Sequence, residues 1–244
     1  MQKALIFAGR ILDAAMQRSD TDIAIIQFAS VMNPAFPPEE FESQRRKLPD
    51  WLFRMFYRGE YTRPPGMIYG DFIDEYRERG GHKVKPFIIP ADWPHHGGID
   101  PGGVNTAKVY IAHNPHENVY YLYKATLTGN KTTNEHAAEL IEDHKGVNRK
   151  TWWLGAGSED QVRLDYTAAK FTVLAPPITD VEAGITRVIE LFKTHRLYVF
   201  DDCKLILDEL GTYQREIDTD GQPTDHIANK QTFHGLDATR YCCA

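Results

Sequence analysis

The clearest periodic pattern of apolar residues lies over residues 181–193, where apolar side chains recur every three to four positions. This spacing puts them on one face and predicts an amphipathic helix with a buried stripe. Thr179 and Glu182 have the spacing of a capping box, so the helix is expected to begin just after Thr179. The stripe consists of Val181, Ile185, Val188, Ile189 and Phe192.

Shorter apolar runs predict strands. The segment that ends at Asp100 and residues 106–113 and 119–126 have strand composition, and the turn residues between the last two indicate a hairpin. Together they predict three antiparallel strands. Further strands are predicted over residues 23–28, 151–154, 171–174 and 197–200, and further helices over residues 11–18, 39–47, 132–145 and 204–213, with one more that opens at Ser158.

The order of these elements changes near residue 66. Residues 1–66 end in an aromatic stretch and Arg63-Pro-Pro-Gly66, whereas residues 67–244 hold a strand meander followed by alternating strands and helices. The second pattern is typical of an α/β domain with a mixed β-sheet flanked by helices. We therefore expect a connecting part over residues 1–66 and a sheet domain over residues 67–244.

Composition narrows the class of protein. Hydrophobic residues make up 42% and charged residues 25% of the chain, and no apolar run approaches the roughly 20 residues that span a bilayer, so a soluble globular protein is expected. The odd number of cysteines without C-x-x-C spacing predicts reduced thiols in a cytoplasmic setting. A net charge of −6 argues against a generic nucleic-acid coat, but it is compatible with an enzyme whose acids hold metal ions.

Three acidic residues stand at the ends of predicted elements: Asp100, Glu159 and Asp237. Asp100 lies in Gly98-Ile-Asp-Pro-Gly102, where a strand ends. A side chain at that position of an open α/β sheet faces the crevice that usually binds ligands. The alternative is an Asp that only stabilises the turn.

Glu159 lies in Gly155-Ala-Gly-Ser-Glu-Asp160. With Ser158 as helix cap, Glu159 shares the inward stripe of Val162 and Tyr166, whereas Asp160 turns about 100° away. Interaction with the helix dipole alone is the alternative for both acids, and it suits Asp160 better. Asp160 is therefore expected beside the site rather than in it.

Asp237 lies in a predicted helix between Phe233 and Tyr241, on a face that should be apolar. A charge buried there needs an ionic partner or a metal ion. Arg240 is the candidate ionic partner, in which case the acid is structural. His234, three residues before Asp237, is expected to contact the metal ligands or the substrate, with helix capping or a core position as the alternative.

Together the three acids fit two hard cations, Mg²⁺ or Mn²⁺, about 3.5–4 Å apart and bridging a phosphate. Asp201, at the end of a strand, is an additional candidate near the metal ions. No G-x-x-x-x-G-K-[ST] loop occurs, so no ATPase activity is expected. The pattern indicates a metal-dependent phosphodiesterase that uses no nucleophilic side chain.

These residues resemble the large terminase subunit of tailed bacteriophages, from the end of its motor domain through its nuclease domain. Residues 33–61 resemble the segment that joins the two domains. The nuclease motifs are Gly98-Ile-Asp-Pro-Gly102, the Gly155–Arg163 stretch, Asp180-Val-Glu-x-Gly-Ile185 and His234-Gly-Leu-Asp-Ala-x-Arg-Tyr241.

The resemblance implies an RNase H-like fold, with Asp100, Glu159 and Asp237 matching the acidic triad. It also implies an endonuclease that cuts double-stranded viral DNA concatemers during genome packaging in the cytoplasm of the bacterial host. The implied partners are double-stranded DNA, the portal protein and the small terminase subunit, with no membrane. The Walker motifs of the motor are absent, so we expect a fragment, an isolated nuclease or a separately encoded half.

The sequence allows three alternative functions. A Holliday-junction resolvase also opens with Gly-Ile-Asp-Pro-Gly, although the aromatic segment before residue 66 argues against it. An actin-like ATPase has Asp, Gly and Thr in the order of Asp100, Gly102 and Thr106, but there is no second lobe. A non-catalytic packaging module that docks DNA or the portal is the third, and the acids argue against it.

Overall fold

The computed structural model describes residue 26 and residues 28–60, 66–102, 104–145, 147, 150–155 and 159–243. Contacts divide the chain into two compact units, Met1–Ile68 with Gly211–Ala228, and Tyr69–Leu210 with Asn229–Ala244. The helix predicted over residues 11–18 and most of the strand predicted over residues 23–28 lie outside the described residues. The boundary predicted at residue 66 stays a prediction, and the sequence pattern did not distinguish the segment Gly211–Ala228.

Seven α-helices and eight strands are numbered here along the described residues. The helices are α1 (Pro38–Lys47), α2 (Asp50–Tyr57), α3 (Thr133–Asp143), α4 (Asp160–Ala168), α5 (Val181–Lys193), α6 (Lys204–Leu210) and α7 (His234–Cys243). The strands are β1 (Lys83–Val84), β2 (His95–Pro101), β3 (Asn105–Asn114), β4 (Val119–Gly129), β5 (Lys150–Leu154), β6 (Leu197–Phe200), β7 (Arg215–Ile217) and β8 (Pro223–Ile227).

The first unit holds α1, α2 and the antiparallel hairpin of β7 and β8. Helix α1 begins at Pro38, because proline suits the first helical position, where its missing N–H is not needed. The predicted helix over residues 39–47 is thereby confirmed. Aromatic rings join the two helices, since Phe53 packs edge-on against Phe41 and stacks on Tyr57, with ring centroids 4.9 and 5.6 Å apart.

The second unit contains a six-stranded sheet in the order β1-β6-β4-β3-β2-β5. Strands β2, β3 and β4 pair antiparallel, whereas β5 joins β2, and β6 joins β4 and β1, in parallel. The predicted antiparallel meander and mixed α/β sheet are confirmed. None of the helices in the described ranges combines the length and apolar character that a membrane crossing requires.

The two faces of this sheet are covered by different helices. Ile99 of β2 belongs to a buried cluster with Leu140 of α3 and Tyr166 of α4. Side chains alternate along a strand, so Gly98 and Asp100 lie on the opposite face. On that face Gly98 contacts Ala238 of α7.

One predicted strand and the predicted end of one helix are wrong. Residues 171–174 form only an isolated bridge, Trp153 to Leu174, because Pro176 and Pro177 follow closely and cannot donate to a ladder. The helix predicted to Tyr213 ends at Leu210, since glycine at 211 is a poor helix former.

One predicted helix cap is confirmed and another is shifted by one residue. Thr132 and Glu135 form the predicted capping box of α3, in which each side chain accepts from the other residue's backbone N–H. Helix α5 is capped by Asp180, which accepts from the N–H of Ala183, rather than by the predicted Thr179. A carboxylate one residue later therefore takes the capping role.

Candidate active site

Asp100 and the residues after β5 meet at one edge of the sheet. Strands β2 and β5 are parallel neighbours, with Ile99 aligned to Leu154. The N–H of Gly155 donates to the carbonyl of Ile99 at 3.0 Å, so β5 ends beside the residue that precedes Asp100. Because the two strands run in parallel, Gly155, the residue after β5, lies next to Asp100.

Glu159 occupies this edge as the N-cap of α4. A Cβ atom at Gly155 would collide with the Glu159 carboxylate, so glycine is needed for the acid to lie there. Glu159 was predicted as the first helical residue after a Ser158 cap. The helix instead begins at Asp160, and Ser158 lies outside the described residues.

Helix α7 brings Asp237 to the same place. A Cβ atom at Gly98 would collide with the carbonyl of Ala238, so the helix backbone rests directly on β2. One turn beyond Asp237, the Tyr241 hydroxyl lies 3.4 Å from Oδ1 of Asp100 and donates to it. The close packing of helix and strand thus sets the separation of Asp237 and Asp100.

Tyr241 interacts electrostatically with all three acids. Burial is the main cause that raises the pKa of Tyr241, and the charges of Asp100, Asp237 and Glu159 raise it further. The pKa of Asp100 is also raised, first by burial, against a lowering effect of its hydrogen bond to His234, with the charge of Asp237 adding to the rise. Asp100, Glu159 and Asp237 thus come from three separate elements to the same edge of the sheet.

His234 is tied to this group. Its Nδ1 lies 2.8 Å from Oδ2 of Asp100, and an ionised Asp100 accepts a hydrogen bond from the N–H at that nitrogen. The contact agrees with the expectation that His234 touches a predicted metal ligand. It also fixes which ring nitrogen carries the hydrogen.

Asp237 has the ionic partner that the sequence allowed as an alternative. Nη2 of Arg240 donates to its Oδ1 at 3.0 Å, and the Arg240 side chain is only 4% exposed. Gly184 of α5 leaves the space for that arginine, since a Cβ there would lie 2.5 Å from Cγ of Arg240. Asp237 is therefore both part of the acidic group and half of a buried ion pair.

Asp160 and Asp201 are not brought into the group. The side chain of Asp160 is 86% exposed and accepts from Arg163 at 2.6 Å. Asp201 follows β6, three strands from β2 or about 14 Å at the usual strand spacing, and accepts from the Tyr76 hydroxyl. The expectation that Asp201 lies near the metal ions finds no support in this geometry.

Two residues near the acids were not predicted as site residues. Tyr241 was read only as part of an apolar face, although its spacing of four residues from Asp237 was a usable signal. Glu209 of α6 is 7% exposed, and its carboxylate accepts the N–H groups of Gly235 and Leu236. Burial raises the pKa of Glu209 to about 7, against these two hydrogen bonds. Nothing in the sequence around Glu209 indicated this contact.

The acids suit a hard divalent cation by their chemistry. Carboxylate oxygens are the preferred ligands of Mg²⁺, and crowding of like charges disfavours the ionised acids until a cation neutralises them. Within the described part of the chain, no three His, Cys, Asp or Glu side chains already lie close enough to hold a metal ion. The carboxylate oxygens are therefore suitable ligands for such a cation. A bound cation would compete with the hydrogen bonds that Asp100 and Asp237 now accept at these oxygens.

No family model matches the sequence, and no curated protein matches it significantly. Solved structures do match it. The large terminase nuclease domain of phage P22 is 22% identical with a TM-score of 0.55, over 74% of this chain and 92% of that one. A large terminase from a thermophilic bacteriophage is 20% identical with a TM-score of 0.61, over 86% of this chain and 52% of that one.

A third match is the large terminase nuclease of thermophilic phage G20c, solved with bound magnesium, at 15% identity and a TM-score of 0.53, over 73% of this chain and 96% of that one. The chain spans about half (52%) of the large terminase in the second of these matches. These likenesses show the fold, which is that of phage large terminase nuclease domains. The RNase H-like fold implied by the motifs is confirmed.

Proposed function

We propose that this chain is the nuclease part of a phage large terminase and hydrolyses double-stranded DNA with divalent metal ions. The observation that carries the proposal is that Asp100, Glu159 and Asp237 lie at the same edge of the sheet, where the Tyr241 hydroxyl is 3.4 Å from Oδ1 of Asp100. The fold of terminase nucleases, one of them solved with magnesium, supports it.

In the proposed mechanism, Asp100, Glu159 and Asp237 would hold the Mg²⁺ or Mn²⁺ ions. When bound, such ions supply a hydroxide nucleophile and neutralise charge on the attacking and leaving oxygens. The chain's own groups orient these ligands. His234 fixes one oxygen of Asp100, and Tyr241 donates toward the other.

The partners and setting follow from the same proposal. A terminase nuclease would act on concatemeric viral DNA in the bacterial cytoplasm, beside a portal protein and a small subunit. The matched large terminase is the longer protein, since this chain covers 52% of it. We therefore propose only the nuclease step of genome packaging for this chain.

One observation favours a second candidate, a non-catalytic packaging module. The ion pair of Asp237 with buried Arg240 gives that acid a structural role. In such a module the acids would fix α7 on the sheet without metal. Metal binding separates the two candidates.

The test is incubation of supercoiled plasmid with the protein and Mn²⁺ or Mg²⁺. We expect nicked and linear DNA with little sequence preference, and no product when EDTA removes the metal. A four-way DNA junction should be cut no better than duplex of equal length. Intact plasmid at high protein concentration, together with no heat of Mn²⁺ binding in calorimetry, would contradict the nuclease and favour the module.

A further inference from the structure

Helix α7 does not begin with one of the usual capping residues. The residue before it is Phe233, whose side chain has no hydrogen-bond acceptor. The first N–H groups of a helix have no partner within the helix, and leaving them unsatisfied in a buried position is costly. Those of Gly235 and Leu236 are buried.

Glu209 supplies the missing acceptors from another helix. Its Oε1 accepts from the N–H of Gly235 at 3.1 Å and its Oε2 from that of Leu236 at 2.7 Å. The positive end of the helix dipole also favours a carboxylate there. One side chain thus satisfies two donors of α7.

The contact is tight on the α6 side. A Cβ atom at Gly235 would lie 2.8 Å from Cδ1 of Ile206 and 3.0 Å from Oε2 of Glu209. The first turn of α7 therefore rests directly on α6. A serine cap would have satisfied the helix end, but it would not have joined α7 to α6.

The turn that Glu209 holds carries the acidic site. His234 starts it, Asp237 ends it, and both interact with Asp100 of β2. We propose that Glu209 is a positioning residue for the metal site: by holding the first turn of α7 against α6, it sets where Asp237 and His234 stand relative to Asp100. This inference rests on the proposed function.

The experiment compares Glu209→Gln with Asp208→Asn in the full chain. Asp208 is an exposed carboxylate on the same helix, so its variant controls for charge. Glutamine has one oxygen acceptor and turns an NH₂ group toward the other N–H. Three quantities are measured: Mn²⁺ affinity by calorimetry, plasmid nicking against Mn²⁺ concentration, and thermal melting without metal.

We expect Glu209→Gln to bind Mn²⁺ about tenfold more weakly, in the range seen when residues that orient metal ligands are changed. Its nicking should recover at high Mn²⁺, because the ligands themselves are intact. Asp208→Asn should match the wild type. A lowered melting temperature with unchanged Mn²⁺ affinity would show a purely structural role and overturn the inference.

Two further outcomes are decisive. If Glu209→Gln does not fold, Gly235→Ala disturbs the same contact and must show the same loss of Mn²⁺ affinity, or the inference fails. An active wild type with unchanged Glu209→Gln also overturns it, while leaving the proposed function intact. A wild type that neither nicks DNA nor binds Mn²⁺ overturns the proposed function, and the inference with it.

Discussion

At the scale of single residues, the environment of Asp100 shows how a crowded carboxylate is accommodated. Asp100 is partly shielded from water and lies near another carboxylate, and both effects disfavour its ionised form. His234 and Tyr241 offset part of this cost by donating to its two oxygens. Under the proposed function, a bound cation would remove this cost by neutralising the crowded charges.

Asp100→Asn should abolish nicking without destabilising the metal-free protein. The raised pKa of Asp100 means that its ionised form destabilises the fold, and this cost grows as pH rises through the folded pKa. The variant should therefore melt at or above the wild-type temperature at pH 8, with a smaller difference at pH 4. Nicking should fall about a hundredfold or more, since even residues that only orient ligands cost 10–100-fold. Melting several degrees lower with nicking preserved would make Asp100 structural.

Glu159→Ala should damage nicking far more than Asp160→Ala. The Glu159 carboxylate lies against Gly155 at the sheet edge, whereas the Asp160 side chain is 86% exposed and pairs with Arg163. Initial rates of Mn²⁺-dependent nicking by the two variants provide the measurement. Equal rates, or a loss confined to Asp160→Ala, would place the middle ligand elsewhere.

At the scale of elements, the site depends on two places where backbone packs directly against backbone. Strand β5 ends beside β2, and helix α7 lies on β2 with its backbone against Gly98. Each contact fixes one acid relative to Asp100. Small shifts of α7 should therefore affect the chemistry before they unfold the domain.

Gly98→Ala tests the contact between α7 and β2. The added methyl would collide with the carbonyl of Ala238, so the helix must move, at a cost of about 1–3 kcal/mol. We expect a lower melting temperature, weaker Mn²⁺ binding and slower nicking. Gly80→Ala is the control, because nothing lies within 4 Å of the added methyl and only its φ of +80° is unfavourable. Loss of stability in both variants but of Mn²⁺ affinity only in Gly98→Ala would support the geometry; equal affinities would contradict it.

At the scale of the whole molecule, several histidines are built into the second unit as neutral groups. Burial is the first cause that lowers the pKa of each, so folding disfavours their protonated forms. His82 shows the pattern: Nδ1 accepts from the N–H of Ile73 and Nε2 donates to the carbonyl of Phe192, both at 2.9 Å. The group consists of His82, His95, His136 and His144.

Stability should fall as pH decreases below about 6.5, the ordinary histidine pKa. The folded pKa values are lowered, so the unfolded chain binds more protons in this window and stability rises with pH. Urea unfolding of metal-free protein from pH 8 to pH 5 measures the slope. His144→Gln should flatten it, whereas the exposed control His226→Gln should not. A stability that does not change from pH 7 to pH 5 would contradict the prediction.

The sequence by itself determined most elements and the pairing of the meander. Alternation and turn residues predicted the strands that became β2, β3 and β4, and Thr132 and Glu135 predicted the start of α3. These features depend on local backbone preferences and on which face of an element is apolar. Both properties are set by residues that are close together in the sequence. The motifs around Asp100, Glu159 and Asp237 likewise suggested the class of chemistry.

Only the tertiary structure decided how the acids meet and what holds them. The contact of α7 with β2 at Gly98, the hydrogen bond of Tyr241 to Asp100 and the distance of Asp201 from Asp100 depend on packing between distant segments. Glu209 shows the reason most clearly, because its partners lie 26 and 27 residues along the chain. Glu209 stabilises the fold by accepting hydrogen bonds from the backbone of another helix. Such a contact produces no periodic pattern or residue spacing in the sequence around Glu209.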